Sequence, residues 1–346
     1  MNKFKKLMPV LAALLLVFAA ALSLAAPVCA KTVTDMSGAV VTVPDKVTAY
    51  ADAWFAHNTI AIMLDGAKRM KATSMTPQQS PWMYKVCPQM NSAESMEFGK
   101  DFNVEDLLAK KVQVVFGSNG DEHMRKKLND VGIAFVNCMF TNFDDMTKSI
   151  SMTAEILGNK PLAQHYNNYL KASIKDVEKR MAGVPAEGRR KILHGTTVYG
   201  LIVDGDKTLI DEWIRLAGGV NAPGHDISGN KKEVSFEQIL KWDPDIIITG
   251  RHGEDRKILQ DPKWQVLKAV KNKKVYVNPK GVFTWDRYSV EEALQVRWAA
   301  KFLYPERFKD FDLIAAAQRF YERFYRYRIS ADDVKRMLAS EPPAAN

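Results

Sequence analysis

FEQILKWDPDIIITGRHG, Phe236 to Gly253, is the stretch on which the fold turns. A glutamate leads an apolar helical turn, a Pro-Asp pair follows, and Ile246 to Thr249 form a short apolar and β-branched run that ends at Gly250. Helical spacing that gives way to such a run reads as helix, turn, buried strand. The same order stands earlier in VEDLLAKKVQVVFGSNG, Val104 to Gly120. Each copy opens on a glutamate, Glu105 or Glu237, and carries apolar residues two and three places later: Leu107 and Leu108, then Ile239 and Leu240. Val112-Gln113 stands where the second copy has Pro-Asp. The interval between the copies is the size of a lobe, far longer than a solenoid period.

Around both copies, strand and helix patterns alternate, which implies parallel sheets covered on both faces. Before the first copy the chain reads as a hairpin around Ser37-Gly38, a strand in VTAYADAWF, a helix in AHNTIAIMLDG, a strand in MKATS, and a loop with three prolines, MTPQQSPWMYKVCPQM. DEHMRKKLNDVG and IAFVNC add a helix and a strand. Residues 142–182 are helical throughout, broken at Gly158-Asn159 and restarted at Pro161, a residue favoured in a first helical turn. KILHGTT, TLIDEWIRLAGG, the second copy and KKVYVNP resume the alternation, and helices close the chain. The expected organisation is a leader over residues 1–30, an α/β lobe over 31–158, a bridging helix over 159–184, a second α/β lobe with terminal helices over 185–338, and an unstructured tail over 339–346.

The leader has Lys3, Lys5 and Lys6, an apolar run, and Val28 and Ala30 at the small-residue positions of a cleavage site. It predicts export to the periplasm or another extracytoplasmic space. Lipidation of Cys29 is the weaker alternative, because Val28 replaces the small residue expected before a lipidated cysteine. Cys87 and Cys138 remain, and an oxidising compartment permits a disulfide between them, with a pair of buried thiols as the other reading. The formal charge of +9 is spread without a Lys/Arg block, so a nucleic-acid partner is not expected. No Gly-x-Ser-x-Gly elbow, His-Glu-x-x-His or Walker loop is present, which argues against an enzyme; an exported α/β enzyme stays a remote alternative.

The residues also resemble a family, the substrate-binding proteins of bacterial ABC importers for iron–siderophores, haem, cobalamin and related chelates. TDMSGAVVTVPDK resembles the family's opening hairpin, IRLAGGVNAPG its Gly-Gly-x-Asn turn, SFEQILKWDPDIIITG its helix–Pro-Asp–strand unit, and WDRYSVEEALQVRWAAKFLYPERF its C-terminal end. The resemblance implies two Rossmann-like lobes joined by one long helix, with the ligand in the cleft between them. It implies no covalent cofactor and, as cargo, a metal chelate, with an iron(III) complex first and haem or a corrinoid next. It also implies a dimeric membrane permease as partner, met by one exposed glutamate per lobe at the positions of Glu105 and Glu237. A monomer is expected. A carboxylate in a first helical turn is also favoured by the helix dipole, so either glutamate fits a purely local role.

Ligands of parallel sheets sit beyond the carboxyl ends of the strands. That rule nominates Trp54, His57 and Asn58, then Ser118, Asn119 and His123, then Tyr199, Arg251 and His252, and finally Phe283, Trp285 and Arg287, with Trp82 and Tyr84 added from the proline-rich loop. Aromatic rings with a few basic groups suit a flat anionic chelate. His57, His123, His225 and His252 are weak candidates for direct metal ligation, and Ser, Thr and backbone N–H groups for capture of an oxyanion. His165 and His194 read as structural.

Overall fold

Short runs of β-branched residues, each followed by an amphipathic segment, fold into two parallel sheets in the computed structural model, which describes residues 29–99, 101–118 and 122–344. β1 (Ala30–Thr34) and β2 (Val40–Pro44) form the opening antiparallel hairpin, with Gly38 at φ +87° in its turn. There follow β3 (Tyr50–Asp52), α1 (His57–Asp65), β4 (Met70–Thr73), α2 (Pro81–Val86), β5 (Glu94–Ser95), α3 (Val104–Ala109), β6 (Val114–Gly117), α4 (Glu122–Asn129), β7 (Ala134–Asn137), α5 (Phe143–Leu157) and α6 (Lys160–Met181). The second half runs β8 (Lys191–Gly195), β9 (Ile202–Val203), α7 (Leu209–Leu216), β10 (Val220–Asn221), β11 (Lys232–Glu233), α8 (Phe236–Trp242), β12 (Ile246–Thr249), α9 (Glu254–Gln260), α10 (Lys268–Lys271), β13 (Val275–Val277), α11 (Glu292–Leu303), α12 (Leu313–Phe320) and α13 (Ala331–Leu338).

The first sheet has the order β5-β4-β3-β6-β7 and the second β10-β8-β12-β13. The two quoted copies therefore occupy the same place. α3 feeds β6 and α8 feeds β12, and each strand lies between the strands that come first and last, in chain order, in its sheet, with Tyr50 beside Val114 and Ile192 beside Ile246. Both strands are buried along their whole length, as strands covered on both faces must be.

The 22-residue α6 extends about 33 Å and buries Ala163, Tyr166, Leu170, Ser173, Val177 and Met181, a stripe at helical spacing. It packs against α5 of the first lobe and α11 of the second, and the Tyr166 hydroxyl donates to Val290 O at 2.6 Å. One hydrophobic core runs through the inner faces of both lobes and this helix. Smaller cores lie under the outer helices, one around Leu107, Val115 and Phe135 and the other around Ile239, Ile247 and Trp264. A shared, close-packed inner core resists large hinge motion, because opening would expose apolar surface.

The proline-rich segment differs from the loop expected of it. It contains α2, with Pro81 in the first turn and Trp82, Met83, Tyr84 and Val86 buried; the gain from burying four large side chains outweighs the turn signal of the prolines. The chain end is also held. The Trp82 indole donates to Glu341 O at 2.8 Å and Arg336 Nε to Pro342 O at 2.8 Å. Cys87 and Cys138 are buried free thiols, and Cys29 is an exposed one. The leader up to Val28 lies outside the described residues.

Candidate functional site

The carboxyl ends of the two sheets face each other, and three rings meet there. Trp54, just past β3, and Phe140, just past β7, contact Tyr288 of the second lobe at centroid distances of 5.4 and 5.7 Å, and each other at 5.6 Å. All three are buried. Tyr288 adopts φ +61°, a left-handed conformation that is strained for a bulky residue. Its surroundings enforce it. Asn230 Nδ2 donates to the Tyr288 hydroxyl, and the next residues bind the first lobe through Val290 N–H to Thr59 Oγ1 at 3.2 Å. Just downstream, the Glu291 carboxylate gathers Val282 N–H, Phe283 N–H, the Trp285 indole and the Tyr321 hydroxyl. Gly281 is required beside it, since a Cβ there would overlap both Glu291 and Tyr321. The segment 281–291 is thus a rigid strut between the lobes, tied also by Ser80 Oγ to Val282 O at 2.7 Å. Phe143 N–H, in the first turn of α5, donates across the lobes to Glu212 Oε2 at 2.9 Å.

Beneath Tyr288 lies a buried ionic cluster. Arg287 reaches Asp204 at 2.8 Å and Asp286 at 2.9 Å, and donates to Thr196 Oγ1 at 3.0 Å. His194 lies between the same carboxylates, Nδ1 at 2.9 Å from Asp204 and Nε2 at 3.1 Å from Asp286. Burial opposes every charge here, but Arg287 and His194 hold Asp204 down at about 2, and the two carboxylates raise His194 above its usual value. With His194 as imidazolium the cluster is neutral, two cations against two anions. The histidine pKa is raised in the fold, so its contribution to stability is complete below the unfolded value of 6.5 and is lost as pH rises through the folded value. The expected result is a loss of unfolding free energy with rising pH that a His194→Asn variant lacks, and a His194 ring that by NMR keeps its second proton to higher pH than an exposed histidine. A ring that loses that proton at or below the ordinary histidine value would refute the assignment.

His57 behaves likewise in the first lobe. Nδ1 meets Asp52 Oδ2 at 2.8 Å and Nε2 meets Thr153 Oγ1 at 3.0 Å, while that hydroxyl donates to Ser149 O. Both ring nitrogens therefore face acceptors, an arrangement that favours the doubly protonated ring. Burial opposes this, but Cys138 and Asp52 raise its pKa to about 10. His57 is fully buried and serves as a structural ion pair under Trp54.

Of the other residues nominated from sequence, few converge on the rings. Asn58 is fully buried, spanning Trp54 O and the Thr73 hydroxyl. Tyr84 donates to Met75 O at 2.7 Å, and Trp82 holds the C-terminal segment, so both brace the fold. Trp285 is fully buried against Glu291, and Phe283 beside it is half-buried. Tyr199 is exposed and stacks on Trp264, one ring removed from Phe236 at the start of α8. Arg251 and His252 are exposed, His252 near Ala339 O at 3.1 Å. Ser118 is half-buried, His123 exposed, and His225 exposed with Asp206 at 2.8 Å; Asn119 lies outside the described residues. His165 packs on Phe324. Among the described residues no three His, Cys, Asp or Glu side chains are grouped to hold a metal. The strand-end rule missed Phe140, although it follows the strand in IAFVNCMF, and missed Tyr288, which adjoins the nominated Arg287.

Both glutamates that open the copies are exposed and stand at equivalent helical positions. Asn103 caps α3 by accepting from Glu105 N–H, and Ser235 caps α8 in a capping box with Gln238. Each glutamate is the second residue of its helix. The Glu237 carboxyl lies below its usual value through hydrogen bonds from its own backbone N–H and the Ser235 side chain.

Comparison with known proteins places this architecture. The family model described as periplasmic binding protein matches residues 61–281. The molybdate-binding protein MolA of Haemophilus influenzae is 28% identical over 331 residues, covering 88% of this chain and 93% of its own. The structure of MolA bound to molybdate superposes with a TM-score of 0.80 at 26% identity, covering 87% of this chain and 99% of that one. A periplasmic solute-binding protein of Veillonella parvula gives 0.76 at 26% identity, with 90% and 97% covered. Two lobes, a single bridging helix and these matches make the chain a member of the periplasmic binding protein family, the non-enzymatic solute-binding components of ABC transporters.

Proposed function

We propose that the protein is exported, captures a small tetrahedral oxyanion of the molybdate class between Trp54, Phe140 and Tyr288, and hands it to an ABC permease dimer that docks on Glu105 and Glu237. The observation that carries the choice of cargo is the contact of the three rings across the lobes. Rings at van der Waals separation favour a small guest; a bulky iron(III) chelate or haem needs the shared inner core to part first. Arg287 fits the same reading. Its charge is already matched by Asp204 and Asp286, so an anion here is held by hydroxyl and N–H donors rather than by a free cation. Thr196, whose oxygen accepts from Arg287, keeps its hydroxyl proton to offer. The likeness to a molybdate-binding protein supports this choice.

An iron(III) chelate is the second reading, favoured by the three aromatic rings, Trp54, Phe140 and Tyr288, that meet between the lobes. Titration with molybdate, tungstate, sulfate, a ferric siderophore and haem separates the two, followed by tryptophan fluorescence, with Trp54 as reporter, and by native mass spectrometry. Saturation of one site by molybdate or tungstate, without turnover, is the expected result. Saturation by the ferric chelate or haem alone overturns it. Among the described residues no helix is long and apolar enough to cross a membrane. The mature chain is expected to begin at Lys31, which N-terminal sequencing of the exported protein reads directly.

A further inference from the structure

Two exposed leucines repeat what the glutamates do. Leu108 is 44% exposed and Leu240 is 40% exposed, and each lies three residues after the glutamate of its copy. Residues three apart on a helix share a face, so each lobe presents a carboxylate and an isobutyl group side by side, one turn apart. Neither helix needs its leucine for its own packing: α3 is anchored by the fully buried Leu107, and α8 by Ile239 and Trp242. Single exposed leucines are ordinary on protein surfaces and signify nothing. The same exposed leucine at the same offset from the same exposed glutamate, on helices feeding the same strand of two sheets, is a duplicated surface.

We infer that Leu108 and Leu240 are apolar anchors for the permease, each seated in a pocket beside the cation that receives Glu105 or Glu237. The inference rests on the docking reading above and adds the chemistry of the partner. That partner carries the socket twice, related by approximate two-fold symmetry, and each socket pairs a guanidinium or ammonium with an apolar recess. The division of labour follows from the forces. Charge pairs at a rim act mainly on encounter and orientation, whereas a desolvated aliphatic side chain acts on residence time.

The test uses the full-length mature protein and its permease in proteoliposomes, reading the concentration of binding protein that half-saturates ATPase stimulation. Leu108→Ser with Leu240→Ser is expected to raise that concentration about tenfold, the loss of roughly 1.4 kcal/mol of contact, with each single variant between. Cargo affinity stays at the wild-type value and the thermal midpoint changes little, since both side chains are largely exposed at the lobe surface and neither belongs to a buried core. Leu→Met at both positions restores coupling. A parallel Glu105→Gln, Glu237→Gln variant separates the two claims. If it weakens coupling and the serine variant does not, the leucine anchors are refuted and the docking reading stands. If the glutamine variant also couples normally, the docking reading itself falls. Wild-type protein that sediments as a dimer, with the serine variant a monomer, assigns the leucines to a second copy of this chain and overturns the inference.

Discussion

Arg287→Ala is expected to lower the unfolding free energy by about 3–5 kcal/mol, a large share of the stability of a domain. The guanidinium is almost fully buried and offers its fork to two carboxylates that have no access to water. Removing it leaves Asp204 and Asp286 with His194 as their single remaining cation, and leaves the Thr196 hydroxyl without its donor. Arg287 is the main group that holds both carboxyls below the usual carboxylate range in the intact cluster, so without it burial pushes them up and the variant must either bury unpaired charge or take up protons. Arg287→Lys rescues the variant only in part, since an ammonium cannot bridge two carboxylates and a hydroxyl as the planar fork does. Denaturant unfolding measures the loss. A stability within 1 kcal/mol of wild type, combined with a hundredfold loss of cargo affinity, would instead make Arg287 a ligand clamp.

Charge reversal at both proposed docking positions, Glu105→Arg with Glu237→Arg, is expected to abolish permease-dependent uptake and leave cargo affinity unchanged. Both carboxylates project from capped first turns of helices set on rigid lobes, so their separation is fixed by the sheets and by α6 rather than by loops. Two widely spaced charges on a rigid body define an orientation, and reversing both turns two attractions into two repulsions. Each reversal also places a cation at a helix N-terminus, which costs about 0.3–1 kcal/mol of local stability and is too small to unfold the lobe. Uptake assays with isothermal titration of the soluble variant decide the matter. Retained uptake, or lost binding of cargo in solution, would refute the docking role.

Much of the architecture is legible in the residues because the signals are local. The quoted helix–strand units, the hairpin at Gly38, the break at Gly158 and the stripe on α6 are all patterns of a few residues whose periods identify the element. The placement of α3–β6 and α8–β12 at matching positions bears out the repeat. Where local signals compete with burial, burial prevails: three prolines announce a loop, and the apolar faces of Trp82, Met83, Tyr84 and Val86 make a helix of part of it. The site was less legible. The strand-end rule locates Trp54 and the neighbourhood of Arg287, but it treats every polar or aromatic residue near a strand end as open to the cleft.

The sequence by itself determined two α/β lobes, one bridging helix, and a glutamate at the second position of two matched helices, since periodicity, capping residues and turn signals act within a few residues of the chain. Only the tertiary structure decided which side chains face the cleft. His57 and Arg287 are drawn inward because a charge in an apolar interior must find its partners there, and Thr153 and Asp204 are far away in sequence; the Trp285 indole N–H meets the nearby Glu291, which in turn accepts from the distant Tyr321 hydroxyl. Phe140 and Tyr288 come together for the complementary reason: two lobes that share a core bring rings from distant segments into contact, and no local pattern records that they will meet.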